Sequence, residues 1–237
     1  MEMFVLKSEK SKMFLKKHFT LNIVAIAATG GLIASCAAVP PTQTQVSNTP
    51  ASNTHSTQGM PHNGMNHAVA MNLGPADEDY DLRLIDAMIP HHQGAVEMAQ
   101  EALDKSQRSE IRELSAEIIE AQQQEITQLQ QWRQAWYPQA SNAPVAYDPQ
   151  TGETVPMSQQ QMHSMMMHGN LGAADNEFDL RFSNAMIPHH EGAVEMAQDA
   201  LNKSQRPEIR NLAQEIINSQ ETEIKQMQEW QQAWYKQ

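Results

Sequence analysis

Apolar and small side chains recur at alternating intervals of three and four along Leu82, Ile85, Ile89, His92, Val96, Ala99 and Leu103. That spacing lays them on one face of an α-helix. A second stripe of the same kind runs through Ile111, Ser115, Ile118, Gln122, Glu125, Leu129, Trp132 and Trp136, and Ile119 and Ile126 widen it. Asp77 or Asp79 is the expected cap of the first helix, Ser106 or Ser109 starts the second, and Pro138 ends it. Pro90 conflicts with the first stripe. It lacks the N–H that a helix interior needs, so a kink or a fresh helix start is expected there.

The pattern then repeats. Residues 77–137 and 175–235 align without a gap, and 40 of the 61 positions are identical. Such a match indicates internal duplication, so both halves share one fold. The second copy carries Leu180, Ser183, Ile187, His190, Val194, Ala197 and Leu201, with Asp175 as cap, Pro188 as the interior proline and Pro207 suited to a first helical turn. Each half is a helical hairpin with one sticky face and too little core to stand alone. Two of them pair into a four-helix bundle, so the predicted fold is all-α.

The remaining segments lack this period. Residues 36–75 are rich in Pro, Thr, Ser, Asn and Gln and read as a disordered tether. The stretch 138–173 reads as a disordered, Met/His-rich linker, with turn signals at Ala143-Pro144, Asp148-Pro149 and Gly152 and no helical period before Met157. The organisation expected is thus leader 1–35, tether 36–75, first hairpin 76–137, linker 138–173 and second hairpin 174–237. An extended linker of that length reaches either end of a bundle, which leaves the topology open.

Cysteine use changes the picture of where the chain works. Cys36 is the only cysteine among 237 residues, which excludes an internal disulfide framework and a thiolate zinc cluster. Lys16-Lys17, the apolar run from Leu21 and the small residues before Cys36 form a signal peptide. Ile33-Ala34-Ser35-Cys36 is similar to a lipobox, with Cys36 as the lipidated mature N-terminus, and a start at Met13 gives a more usual leader than Met1. The expected product is exported to a bacterial cell envelope and anchored by lipid. Ala37 after the cysteine favours the outer membrane, facing the periplasm. The leader takes five basic and two acidic residues with it, leaving 11 basic and 26 acidic. So acidic a chain repels nucleic acid and attracts cations.

Candidate chemistry gathers in histidine and methionine. Each repeat carries two adjacent histidines between two methionines: Met88, His91, His92 and Met98, then Met186, His189, His190 and Met196. In an antiparallel hairpin turning near Gln107, His92 lies level with Gln122 and about one turn from Glu125, and His190 matches Gln220 and Glu223. These polar groups form either a satisfied register-setting network or a histidine ligand oriented by a carboxylate. His91 points about 100° from His92 and shares a wall with Met88 and Met98, to be completed by a partner helix or a second protomer in a homo-oligomer. Two tracts outside the hairpins add Met60, His62, Met65 and His67, then Met162, His163, Met165, Met166, Met167 and His168. Methionine has no packing role in a coreless segment, whereas thioether and imidazole together suit Cu(I) and Ag(I). No Glu-x-x-His pair, His-Glu-x-x-His motif, glycine-rich phosphate loop or nucleophile elbow is present, so a binding protein rather than an enzyme is expected.

Met-Ile-Pro-His-His-x-Gly-Ala-Val-Glu-Met-Ala, followed by Ile-Ile-x-x-Gln-x-x-Glu-Ile-x-x-Leu/Met-x-x-Trp, resembles the domain-of-unknown-function family 305 in both repeats. The resemblance implies a ferritin-like helical bundle, copper or silver binding, and a part in metal resistance. It carries the ligand role onto Met88, His91, His92 and Met98 and their second-copy equivalents. Many members have methionine where this chain has Ala87 and Ala185, so any ligand at those positions is missing here. Two rivals remain open at this point: a lipid-anchored structural bundle with no metal role, and a metal-dependent redox enzyme.

Overall fold

A computed structural model of the chain describes residues 72–166 and 170–236. Its elements are α1 (Tyr80–Lys105), α2 (Ser109–Trp136), β1 (Val145–Asp148), β2 (Glu153–Pro156), α3 (Gln159–Met166), α4 (Phe178–Lys203) and α5 (Pro207–Tyr235). The described region is all-α apart from the two short strands. α1 and α2 form one hairpin, α4 and α5 the other, and α1 packs against α4. None of the described helices is long and apolar enough to cross a membrane.

The two hairpins interlock reciprocally. The Tyr80 hydroxyl, at the start of α1, donates to Asp199 near the end of α4 at 2.9 Å, so the two helices run antiparallel. Lys105 donates to the Gly172 carbonyl at 2.6 Å and Lys203 to that of Gly74 at 2.7 Å. Arg108 pairs with Asp179 and lies over Trp234, while Arg206 pairs with Asp81 and lies over Trp136. Each arginine so caps a stacked tryptophan pair, Trp230 with Trp234 or Trp132 with Trp136.

α1 buries two faces. In the predicted stripe Leu82, Ile85, His92 and Ala99 are buried, but Ile89, Val96 and Leu103 are only half-buried. A second stripe, Leu84, Met88, His91, Ala95, Met98 and Ala102, is buried throughout, as is its counterpart Phe182, Met186, His189, Ala193, Met196 and Ala200. These second stripes join the hairpins. They also explain why Pro90 and Pro188 do not start a new helix, since α1 and α4 run through them unbroken. A proline costs an interior helix about 3 kcal/mol. Burying one Leu, Met or Phe contributes about 1.5–3 kcal/mol, and each helix buries several.

The first cap lies at Asp79, one of the two expected positions, whereas the second lies at Glu177 rather than Asp175. Asp79 and Glu177 occupy the cap sites but make no capping hydrogen bond through their side chains. Asp77 and Asp175 sit two residues earlier, accepting from the Asp79 and Glu177 N–H groups in Asx-turns. α2 begins at Ser109, and Pro207 occupies the first turn of α5 as expected.

The largest correction concerns the linker, which is not the disordered stretch its composition suggested. Two of its expected turn signals, Asp148-Pro149 and Gly152, close an antiparallel hairpin, with Val145 opposite Pro156 and Asp148 opposite Glu153. Gly152 has φ +73, a left-handed value that glycine adopts without strain. The hairpin is fastened to α1. The Val145 N–H donates to Asp86 at 2.9 Å, and Arg83 donates to Thr154 at 2.7 Å with its guanidinium over Tyr147.

Candidate metal centre

The continuous stripes place the site residues. His91 and His189 meet where α1 crosses α4, with ring centroids 3.9 Å apart, planes inclined at 45° and both side chains fully buried. The wall of Met88, His91 and Met98 is therefore completed by its own duplicate within the chain. Met88 shares a buried cluster with Met196 and Met165, and Met98 shares the other with Met186 and Met227. Each cluster thus combines a methionine from before one histidine pair with a methionine from after the other.

His92 and His190 face their own hairpin seams instead. Their rings stand 6.4 and 6.3 Å from those of His91 and His189. His92 Nε2 lies 2.8 Å from a Glu125 carboxylate oxygen, and His190 Nε2 lies 2.6 Å from one of Glu223. Only the His190–Glu223 contact has hydrogen-bond geometry, and a carboxylate bonded at Nε2 favours the tautomer with its proton there, which leaves the lone pair on Nδ1. Both Nδ1 atoms are buried and make no hydrogen bond among the described residues. Gln122 and Gln220 are buried in the same seams, as the hairpin register predicts.

Carboxylates surround these seams. Burial pushes the Glu117 carboxyl up, and the charges of Glu223, Glu113 and Glu120 push it further. Burial raises Glu215 as well, followed by the charge of Glu125. Each histidine-bound glutamate therefore also acts on a carboxylate of the opposite hairpin, and the resulting negative field draws cations. Among the described residues, no three His, Cys, Asp or Glu side chains are grouped to hold an ion. The donors that the core does concentrate are imidazoles and thioethers, which fit a soft monovalent cation.

The second Met/His tract needs correction too. Met162 to Met166 lie in α3, which packs on α1, and Met165 is only 3% exposed within the core cluster of Met88 and Met196. Methionine therefore does have a packing role in this segment. Met162 and Met166 are half-buried and His163 is exposed. Met167, His168, Met60, His62, Met65, His67 and Cys36 lie outside the described residues. Met227 was missed as a candidate, although it stands at the stripe position of Leu129 in the other copy.

A family model described as "Domain of unknown function (DUF305)" matches residues 39–133 and 81–231. The chain belongs to this family. Among solved structures it is similar to CopM in its Cu(I)-bound form, with 36% identity, a TM-score of 0.52, and coverage of 65% of this chain and 97% of CopM. The Cu(II)-bound and co-crystallised Ag-bound forms give 38% and 36% identity, TM-scores of 0.53 and 0.52, and the same coverage. A DUF305 fragment from Deinococcus radiodurans is 29% identical, with a TM-score of 0.51 and coverage of 65% of this chain and 95% of the fragment. An uncharacterized protein L153 of Acanthamoeba polyphaga mimivirus is 43% identical over 49 residues, or 21% of this chain. The match spans about a third, 32%, of that curated relative's length.

Proposed function

We propose that this DUF305 protein binds soft monovalent metal ions, Cu(I) or Ag(I), in the bacterial cell envelope, and that it sequesters them rather than catalysing a reaction. The observation that carries the reading is the facing pair His91 and His189, fully buried and flanked by Met88, Met98, Met186 and Met196. Two of these thioethers in each of the two buried clusters, with the two imidazoles between α1 and α4, form a donor set for a soft cation without any thiolate. CopM, similar in fold and 36% identical, has been solved with Cu(I) and with Ag, which supports the same cargo here. His92 and His190 contribute Nδ1 donors whose orientation Glu125 and Glu223 hold. The lipobox-like Cys36 supports a lipid anchor at the outer membrane, facing the periplasm, and export suits a protein that relies on methionine rather than on reduced cysteine.

Titration of the purified protein with Cu(I) under reducing conditions, against a competing chelator, tests the reading. Tight binding is expected. It should be lost when Met88, His91, Met98, Met186, His189 and Met196 are replaced together, while the helical circular dichroism persists. Binding that survives those replacements overturns the proposal.

A further inference from the structure

We propose that α3 is the loading arm of this core site, a ladder of soft donors that passes the cation from solvent to the buried histidines. The inference rests on the metal-binding reading above. The donors of α3 stand at graded depths: His163 is exposed, Met162 and Met166 are half-buried, and Met165 is 3% exposed in the cluster that holds Met88 and Met196. Positions 162, 165 and 166 share one helical face. The receiving histidines His91 and His189 are fully buried. A cation does not diffuse through a close-packed core, so it has to be handed between ligands. Thioethers exchange such a cation with no change of oxidation state and no proton transfer, because methionine binds it as a neutral donor.

The contact between arm and core is built into α1. Gly94, three residues beyond His91, leaves room for the α3 backbone, and a Cβ there would lie 1.7 Å from the Met166 carbonyl oxygen. Only glycine lets α3 approach so closely, within one turn of the histidine. The base of the arm is held by the β-hairpin, itself fastened through Asp86 and Arg83. If α3 served packing alone, leucine would fill positions 162, 165 and 166 as well and hold a more definite shape.

The test separates rate from affinity. Cu(I) is supplied from a chromophoric chelator to the full chain, to Met162→Leu/Met165→Leu/Met166→Leu, and to Met162→Leu/Met166→Leu, which leaves the core methionine in place. Stopped-flow absorbance gives the loading rate, and competition at equilibrium gives the affinity. The expected result is loading slowed by about tenfold or more in the triple variant, as when a gated entry loses its exchangeable ligands, with affinity unchanged within about twofold. The double variant should show a smaller slowing with the same affinity. An unchanged loading rate overturns the proposal, and so does a loss of affinity that matches the loss of rate, because the arm would then store the ion. Failure of the parent chain to bind Cu(I) overturns the metal-binding reading along with it.

Discussion

The two hairpins differ most where their helices meet the intervening segment. In the first, the buried Asp86 carboxylate is gripped by Arg133 through two nitrogens and also accepts the Val145 N–H. In the second, the same two positions carry Asn184 and Gln231, joined by one 2.8 Å hydrogen bond. Arg83 is 1% exposed beneath the β-hairpin, whereas its counterpart Arg181 is 33% exposed. The core residues Met88, His91, His92 and Met98 are repeated without change as Met186, His189, His190 and Met196. Duplication has therefore kept the stripe that joins the hairpins and let the flanks diverge, one toward an ion pair that anchors a strap and the other toward a neutral pair. That contrast is what a shared site requires, because each copy of the stripe completes the other.

If the core site is shared, His91→Leu and His189→Leu should have nearly equal effects, and the double variant should cost little more than either. A loss of affinity of about a hundredfold or more is expected from each, since a removed ligand should cost at least as much as its supporting shell. Isothermal titration with Ag(I) checks this and counts ions as well. Halved stoichiometry with the remaining affinity intact would mean that each hairpin holds its own ion, and the shared site would be wrong.

Breaking the flank contrast should have the next largest effect. Asp86→Asn leaves the Arg133 guanidinium without its counterion in a mostly buried setting. Because the Arg133 side chain keeps some exposure, an effect just below the ~3–5 kcal/mol typical of broken buried pairs, about 2–3 kcal/mol of stability, is expected in urea denaturation. Adding Arg133→Gln recreates the pair found in the second hairpin and should restore most of that loss. If the double variant is as unstable as the single one, the carboxylate's bond to Val145 rather than the ion pair holds the flank.

Much of this was legible in the chain. The four long helices followed from period and turn chemistry, and the column of Met88, His91 and Met98 followed from helical spacing alone. What faced that column was not legible, because α1 carries two competing stripes. Leu84, Ala95 and Ala102 extend the buried one, yet the two alanines are weakly apolar, and the alternative stripe through Ile85 and Ile89 looks stronger. The strands escaped notice because each has only four residues, half-buried throughout in β1 and exposed at both ends in β2, and neither shows alternation. α3 spans about two turns, too few for a period to stand out. Asp86 and Arg133 are 47 residues apart, and one trace of their contact lay in the sequence. Both change charge together between the copies, to Asn184 and Gln231, as partners in space do.

The smallest effect expected concerns the carboxylates above the seams, where the hairpins again differ. The Glu117 carboxyl is pushed above its ordinary 4.5 by burial and by three neighbours, Glu223, Glu113 and Glu120. Glu215 is raised by burial and by Glu125 alone. A carboxyl whose folded pKa exceeds its unfolded value binds more protons in the folded chain than in the unfolded one. Its contribution is therefore most favourable at low pH and is lost as pH rises from the unfolded value through the folded one. Glu117→Gln should accordingly raise stability at neutral pH and flatten the decline between an acidic pH near the ordinary glutamate value and neutral pH. The gain is held to a few tenths of a kcal/mol because Glu117 is exposed as a residue and its carboxyl only partly desolvated, so solvent screens the charges. Glu215→Gln should do the same by less. Urea denaturation at both pH values measures the two increments. If Glu215→Gln gives the larger gain, the crowding lies on the other hairpin, and the assignment of the stronger negative field to Glu117 is wrong.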